Sequence, residues 1–244
     1  MKFIRRLLIV SLTIAFLGAF LGLGGCGSSD DDSDDFGDGV DDSGTAKVRF
    51  VNLAPDARAV DVFVDEDLFT ENVLYALNDG YHSIDAGTRT IRVDVRNTFT
   101  NLVLGAFAFD SGQDYTIFVT GRVDDTEGTV FFDNNDRASD GRVKVRVVHA
   151  IDNLRDVNIY ITRPEAEISS SLPSLTDLGY LDRTVYLENG PGIYRIRATL
   201  ADSQGVIADS GPITLREGEV TTAMLIENLG GGTPFAIPVF IDRE

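Results

Sequence analysis

From residue 47 onward the chain alternates apolar and polar residues in one short segment after another. In Val60-Asp61-Val62-Phe63-Val64-Asp65 the valines fall on one face, and in Ile91-Arg92-Val93-Asp94-Val95-Arg96 the apolar side chains face a core while the charges face water. Arg142 to Val148, RVKVRVV, reads the same way. Turn signals at Asn78-Asp79-Gly80, Ala86-Gly87, Ser111-Gly112 and Asn189-Gly190-Pro191-Gly192 separate the segments. The pattern predicts seven short strands in the first half, near 47–53, 60–65, 72–76, 89–97, 103–109, 114–121 and 129–133. No sustained helical period follows residue 25; ITRPEAEISSSL could hold one short helix.

The strands come as two similar units. VRFVNLAPDARAVDVFVDEDL from Val48 lines up with VRVVHAIDNLRDVNIYITRPE from Val145, and AGTRTIRVDV lines up with NGPGIYRIRA. The offset grows from 97 at Asp61/Asn158 to 103 at Gly87/Gly190, which places an insertion in Glu165 to Gly179. Short amphipathic strands with about 90 residues per unit predict an all-β chain of two tandem immunoglobulin-like antiparallel β-sandwich domains. The alternatives are a barrel or one sandwich fused from both units. The expected boundaries are a first sandwich at 47–135, a linker at 136–142 and a second sandwich at 143–244.

The first 46 residues follow a different pattern. Lys2, Arg5 and Arg6 precede an uncharged run from Leu7 to Gly25, the layout of a signal peptide, with an uncleaved membrane anchor as the alternative. Leu23-Gly24-Gly25-Cys26 resembles a bacterial lipobox. That resemblance implies cleavage between Gly25 and Cys26, acylation of the Cys26 thiol, and residence in the cell envelope. With Gly27 after the cysteine, it implies the outer membrane of a Gram-negative cell. An ordinary secretory signal with an incidental cysteine is the alternative. Residues 26–46 are Asp, Ser and Gly with almost nothing apolar, which predicts a disordered acidic tether extended by its own charge. The Gly22 to Gly27 match to G-x-G-x-x-G follows no strand and opens no helix, so it is not read as a nucleotide site.

VRFVNLAPDARAVDVFVD resembles the opening of domain-of-unknown-function family 4397 (DUF4397), in which a valine-rich strand runs through a P-D-A turn into a V-D-V-type strand. Pro55-Asp56-Ala57 and Val60-Asp61-Val62 carry the likeness in the first unit. The second unit keeps Val145 to Ala150 but has Asp152-Asn153-Leu154 at the turn. The resemblance implies a secreted or surface-attached bacterial sandwich and brings no activity with it.

Composition narrows the function. The formal net charge is -18, and removing the signal would take it to -21. Such a surface disfavours nucleic acid. One cysteine excludes an intrachain disulfide and any multi-cysteine metal site. No catalytic, metal-binding or cofactor motif is read. His149 ends a strand where the first unit has Asn52, and a hydrogen bond to the following turn accounts for both; His82 is read in an exposed turn. Carboxylate pairs such as Asp124/Asp125 and Asp65/Asp67 are expected by chance in so acidic a chain. The D-x-D-x-D-G spacing of a calcium loop is absent from the tether. Candidate binding residues are Phe63 and its counterpart Tyr160, both on the outward strand face, and Leu172 and Pro173 in the inserted loop. The expected function is a membrane-anchored, non-enzymatic binding, adhesive or structural protein with an envelope protein or glycan partner. The alternatives are a glycan-processing enzyme or accessory domain working through surface carboxylates, and a calcium-dependent adhesin.

Overall fold

The computed structural model describes residues 43–182 and 185–243. The signal, Cys26 and all but the end of the tether lie outside the described residues.

The first module has eight strands: β1 (Thr45–Asn52), β2 (Ala59–Val64), β3 (Asp67–Leu74), β4 (His82–Asp85), β5 (Gly87–Val95), β6 (Asn101–Phe109), β7 (Asp114–Arg122) and β8 (Asp125–Asp133). They form two sheets, ordered β4-β1-β7-β8 and β3-β2-β5-β6. The second module repeats the plan with β9 (Val143–His149), β10 (Val157–Thr162), β11 (Leu175–Leu178), β12 (Leu187–Asn189), β13 (Gly192–Leu200), β14 (Val206–Leu215), β15 (Val220–Leu225) and β16 (Val239–Arg243). Its sheets are ordered β12-β9-β15-β16 and β11-β10-β13-β14.

Three details depart from the strand pattern predicted above. The strand expected at 72–76 is β3, which begins at Asp67 and ends at Leu74. Each sandwich has eight strands; in the first, His82-Ser83-Ile84-Asp85 leaves its turn to pair with β1 as β4. Each also contains one parallel pair, β1 with β7 and β9 with β15.

Each module has its own core. Val48, Phe50, Ile117 and Val119 pack toward Val60, Val62, Ile91, Val93 and Phe109 in the first. Val145, Val147, Ala223 and Leu225 pack toward Ile159, Ile161, Ile196 and Leu215 in the second. The alternation dictates this, since every second residue of a strand points to one face.

The equivalence extends to single hydrogen bonds. Asp61 accepts from the Asn72 amide at 2.8 Å, and Asn158 accepts from the Asp177 amide at 3.1 Å. Both donating residues, Asn72 and Asp177, have positive φ, 61° and 52°, a conformation held here by the side-chain acceptor opposite.

Candidate functional site

Most of the remaining alternate residues of β1, β7, β9 and β15 do not face water. Arg49, Val51, Leu53, Thr116 and Phe118 from the first module meet Arg146, Val148, Ala150, Thr222, Met224 and Ile226 from the second. This corrects the reading of RVKVRVV as a half-exposed strand: Lys144 is 9 % and Arg146 2 % exposed. Both faces of this sheet are covered because the two modules pack sheet to sheet.

Two buried ion pairs cross the junction in reciprocal fashion. Arg49 Nη1 donates to Asp242 Oδ1 at 2.7 Å, and its Nε donates to Thr116 at 2.7 Å. Arg146 Nη2 lies 2.6 Å from Asp133 Oδ1, and Arg146 also donates to Thr222. The latter ion pair sits off the axis of a good hydrogen bond and is chiefly Coulombic. All four charged side chains are at most 2 % exposed.

Each carboxylate is held by its own module. Tyr81 and Thr116 donate to Asp133, and Tyr186 and Thr222 donate to Asp242. Each guanidinium also lies over its own module's tyrosine, Arg49 at 4.7 Å from Tyr81 and Arg146 at 4.9 Å from Tyr186. Burial alone would lower the arginine pKa values, but the surrounding carboxylates and phenols outweigh it and hold both above their usual value. Burial pushes both phenols up.

β1 and β9 run the same way across this junction, so equivalent loops gather at one end. There Leu53 and Ala150, which follow β1 and β9, line the same cleft of about 250 Å³ with Gly121, Arg122, Asp124, Asp125, Asp152 and Glu227 among the other lining residues. Gly121, at φ +84°, lets the end of β7 close onto the Asp125 carbonyl, where a Cβ would sit 2.3 Å away. Arg122 bridges the modules with Asp56 at 3.8 Å and Glu227 at 3.9 Å.

A wider cleft of about 840 Å³ adjoins it through the shared residues Pro55 and Tyr75. Leu74, Leu77, Leu229 and Gly230 supply much of its lining, with Asp56 and Arg58 at its polar side. Two hydrogen bonds fasten its walls across the junction: Tyr75 Oη donates to the Glu227 carbonyl at 2.8 Å, and the Gly230 amide donates to the Pro55 carbonyl at 2.7 Å. The chain enters β1 at the opposite end, about 26 Å away at 3.3 Å per residue.

The sequence-predicted sites fall elsewhere. Phe63 is half-buried with the Arg92 guanidinium 3.7 Å from its ring. Tyr160 is 5 % exposed and opposite Arg197, which is itself tied to Ala166 in the inserted segment. Phe63 is therefore covered by an arginine on its own sheet, and Tyr160 stands opposite one on the neighbouring strand. Leu172 is 90 % exposed, and Pro173 beside it is half-buried.

His149 is buried, and its Nδ1 accepts the Ile151 amide at 3.2 Å just as Asn52 Oδ1 accepts the Ala54 amide at 3.1 Å. His82 lies on β4, exposed, with Nε2 2.8 Å from the Asp79 carbonyl. Among the described residues no group of three or more His, Cys, Asp or Glu side chains is arranged to hold a metal ion. Sequence reasoning missed the junction itself. The available signal was an arginine at the same inward-outward phase in both units, Arg49 and Arg146.

Comparison with known proteins matches residues 46–160 to a domain of unknown function, DUF4397. That span covers the first sandwich, β9 and the first part of β10 in the second. No curated protein matches the chain. Among solved structures, one described as alpha-glucan binding by a streptococcal virulence factor is similar at 9 % identity and a TM-score of 0.24, over 73 % of this chain and 92 % of that one. A leucine-rich repeat protein from Bacteroides thetaiotaomicron is similar at 11 % identity and a TM-score of 0.20, over 76 % of this chain and 26 % of that one. Likenesses this distant assign neither ligand nor activity.

Proposed function

We propose that this chain is a cell-envelope lipoprotein, acylated at Cys26, whose tandem sandwich modules act together as one non-enzymatic binding head. The observation that carries the reading is the junction. Two sandwiches on a string would present independent loops, whereas reciprocal buried ion pairs and a shared apolar layer fix these in one orientation. The equivalent loops then form a single face at the end away from the point where the chain enters β1. A lipid anchor at Cys26 followed by the acidic segment fits this polarity, with the anchor at one end and recognition at the other. The partner is an envelope protein or a glycan, and the net charge of -18 disfavours nucleic acid.

Cys26→Ser separates anchored from soluble. The wild-type chain is expected in the membrane fraction at its processed size, and the variant in the soluble fraction as an unprocessed precursor. A variant that still pellets and co-migrates with wild type would rule out acylation. Proximity labelling from the C-terminus in the native cell then tests the binding head: labelled neighbours are expected to change when Leu77→Asp and Leu229→Asp are introduced. A neighbour set indifferent to those changes would count against recognition at this face.

A further inference from the structure

The two modules allow an internal control that few proteins offer. Ala76 donates its amide to the Asn52 carbonyl with φ at 57°, and Leu181 donates to the His149 carbonyl with φ at 52°. These residues are structural equivalents, so Tyr75 corresponds to Tyr180, Leu74 to Gly179 and Leu77 to Asp182. Both tyrosines reach across the junction, Tyr75 to the Glu227 carbonyl and Tyr180 to Thr120 Oγ1 at 2.8 Å. The fold thus uses the tyrosine twice.

It does not use the leucines twice. One copy of the site has Leu74 at 45 % and Leu77 at 49 % exposure, while the other has glycine and aspartate. A third leucine, Leu229, 59 % exposed, stands in the loop between β15 and β16, which replaces the tight β7–β8 turn. The second copy shows that packing at this position does not require the apolar side chains. Exposing three leucines on one wall costs solubility and yields nothing to the core.

The cleft is also pre-formed. Besides the two bonds across the junction, the Asn228 amide donates to the Gly232 carbonyl at 3.0 Å and the Gly231 amide donates to Asn228 at 2.8 Å, which fixes the loop carrying Leu229. Its volume of about 840 Å³ suits several side chains of a partner. The adjoining cleft carries Asp124, Asp125, Asp152 and Glu227 against Arg122. An apolar wall beside this excess of carboxylates is complementary to an apolar group next to cations. It repels anionic lipid headgroups, and three exposed leucines against the single half-buried ring of Tyr75 favour an apolar side chain over a sugar.

We infer that the Leu74–Leu77–Leu229 cleft is a docking site for a polypeptide segment bearing an aliphatic or aromatic anchor flanked by Lys or Arg. The assignment rests on the binding reading above and names the partner's chemistry. The probe is a phage-displayed library of random linear peptides, panned on the purified full-length chain immobilised through its C-terminus. Enriched clones are expected to place Leu, Ile or Phe within a few residues of Lys or Arg. A synthetic peptide from such a clone should bind at least tenfold more weakly to Leu74→Asp/Leu77→Asp and to Leu229→Asp. It should lose several-fold on Asp124→Lys/Asp125→Lys and weaken with added salt. These positions are exposed, and an unchanged melting temperature will show that each variant is folded. No enrichment, an acidic or uncharged consensus, or equal binding to wild type and the leucine variants would overturn the site. Panning does not depend on Cys26. A failed selection alongside intact membrane fractionation therefore removes the peptide site alone, and a soluble, unacylated chain that still selects basic-apolar peptides removes the anchor alone.

Discussion

Replacing Asp242 with Asn tests whether the junction is one cooperative structure. Asp242 Oδ2 accepts from Thr222 at 2.6 Å and from Tyr186 at 3.2 Å, and an amide oxygen can keep both. What the change removes is the charge facing Arg49. That guanidinium is buried, and its other hydrogen-bond partners are the neutral hydroxyls of Thr116 and Thr222, with the Tyr81 ring against it and Asp133 the remaining nearby carboxylate. At ~4 Å between charge centres and an effective dielectric of ~20 the lost attraction is about 4 kcal/mol. Orphaning one partner of a buried ion pair costs about 3–5 kcal/mol. A protein of this size is stable by about 5–15 kcal/mol, and each kcal/mol is worth about 2–4 °C. Asp242→Asn should therefore lower the main transition by roughly 10 °C in scanning calorimetry. Urea unfolding at neutral pH should give the same ranking. The double variant Arg49→Met/Asp242→Asn removes both charges, so it should recover at least half of the loss, a favourable coupling in a double-mutant cycle. A single variant within about 1 kcal/mol of wild type, or a double variant no better than Asp242→Asn, would refute the claim that these charges hold the modules together.

Two further predictions concern pH. Burial holds the His149 imidazole below its ordinary 6.5, only partly offset by the Arg155 carbonyl, Asp156 and Asp182. A depressed folded pKa means the unfolded chain takes up the proton first. Stability is thus full above about 6.5 and falls as pH drops toward the folded value, by at most about 1.4 kcal/mol per unit for one proton. His149→Asn, which copies Asn52 of the first module, should flatten the urea midpoint between pH 7 and 5.5; an unchanged slope would show that His149 does not set it. Asp79 has the opposite sign: burial raises its carboxyl pKa, against the Phe50 amide and His82 that favour the ionised form. Its stabilising contribution is present below about 3.8 and is lost as pH rises through the folded value, so at pH 7 the ionised group is a cost. Asp79→Asn keeps an acceptor for the Phe50 amide and should match or exceed wild-type melting at pH 7, with the advantage fading in acid. A clear loss at pH 7 would mean the charge itself is required there.

How legible was this molecule before its fold was known? Strand positions were readable because burial on one side of a sheet imposes period two, as in Val60–Val64 and Ile91–Val95. The pairing of Asn52 with His149 was readable as well, because a strand-end acceptor two residues before a free amide is local chemistry. β4 was not: His82 to Asp85 has no strand pattern of its own and is extended because β1 offers it an open edge. Phe63 and Tyr160 stood out as outward aromatics, yet each stands opposite an arginine on the neighbouring strand, and sequence distance conceals that neighbour. The loop-end leucines were invisible as a group, since Leu74 and Leu77 lie in one module and Leu229 in the other.

The sequence by itself determined two β-rich units of shared pattern, their cores, and the contrast between these and the apolar and acidic segments before them, because each follows from local alternation and composition. Only the tertiary structure decided what the second face of β1, β7, β9 and β15 does. An arginine between two apolar residues, as Arg49 is between Val48 and Phe50, reads as solvent-facing unless a carboxylate waits for it, and for Arg49 that carboxylate is Asp242, 193 residues away. Alternation reports that a side chain leaves its own core; it carries no information on what it meets there. The junction, and with it the shared loop face, exists because two surfaces that each mix apolar side chains with unpaired charge cover and neutralise one another on contact.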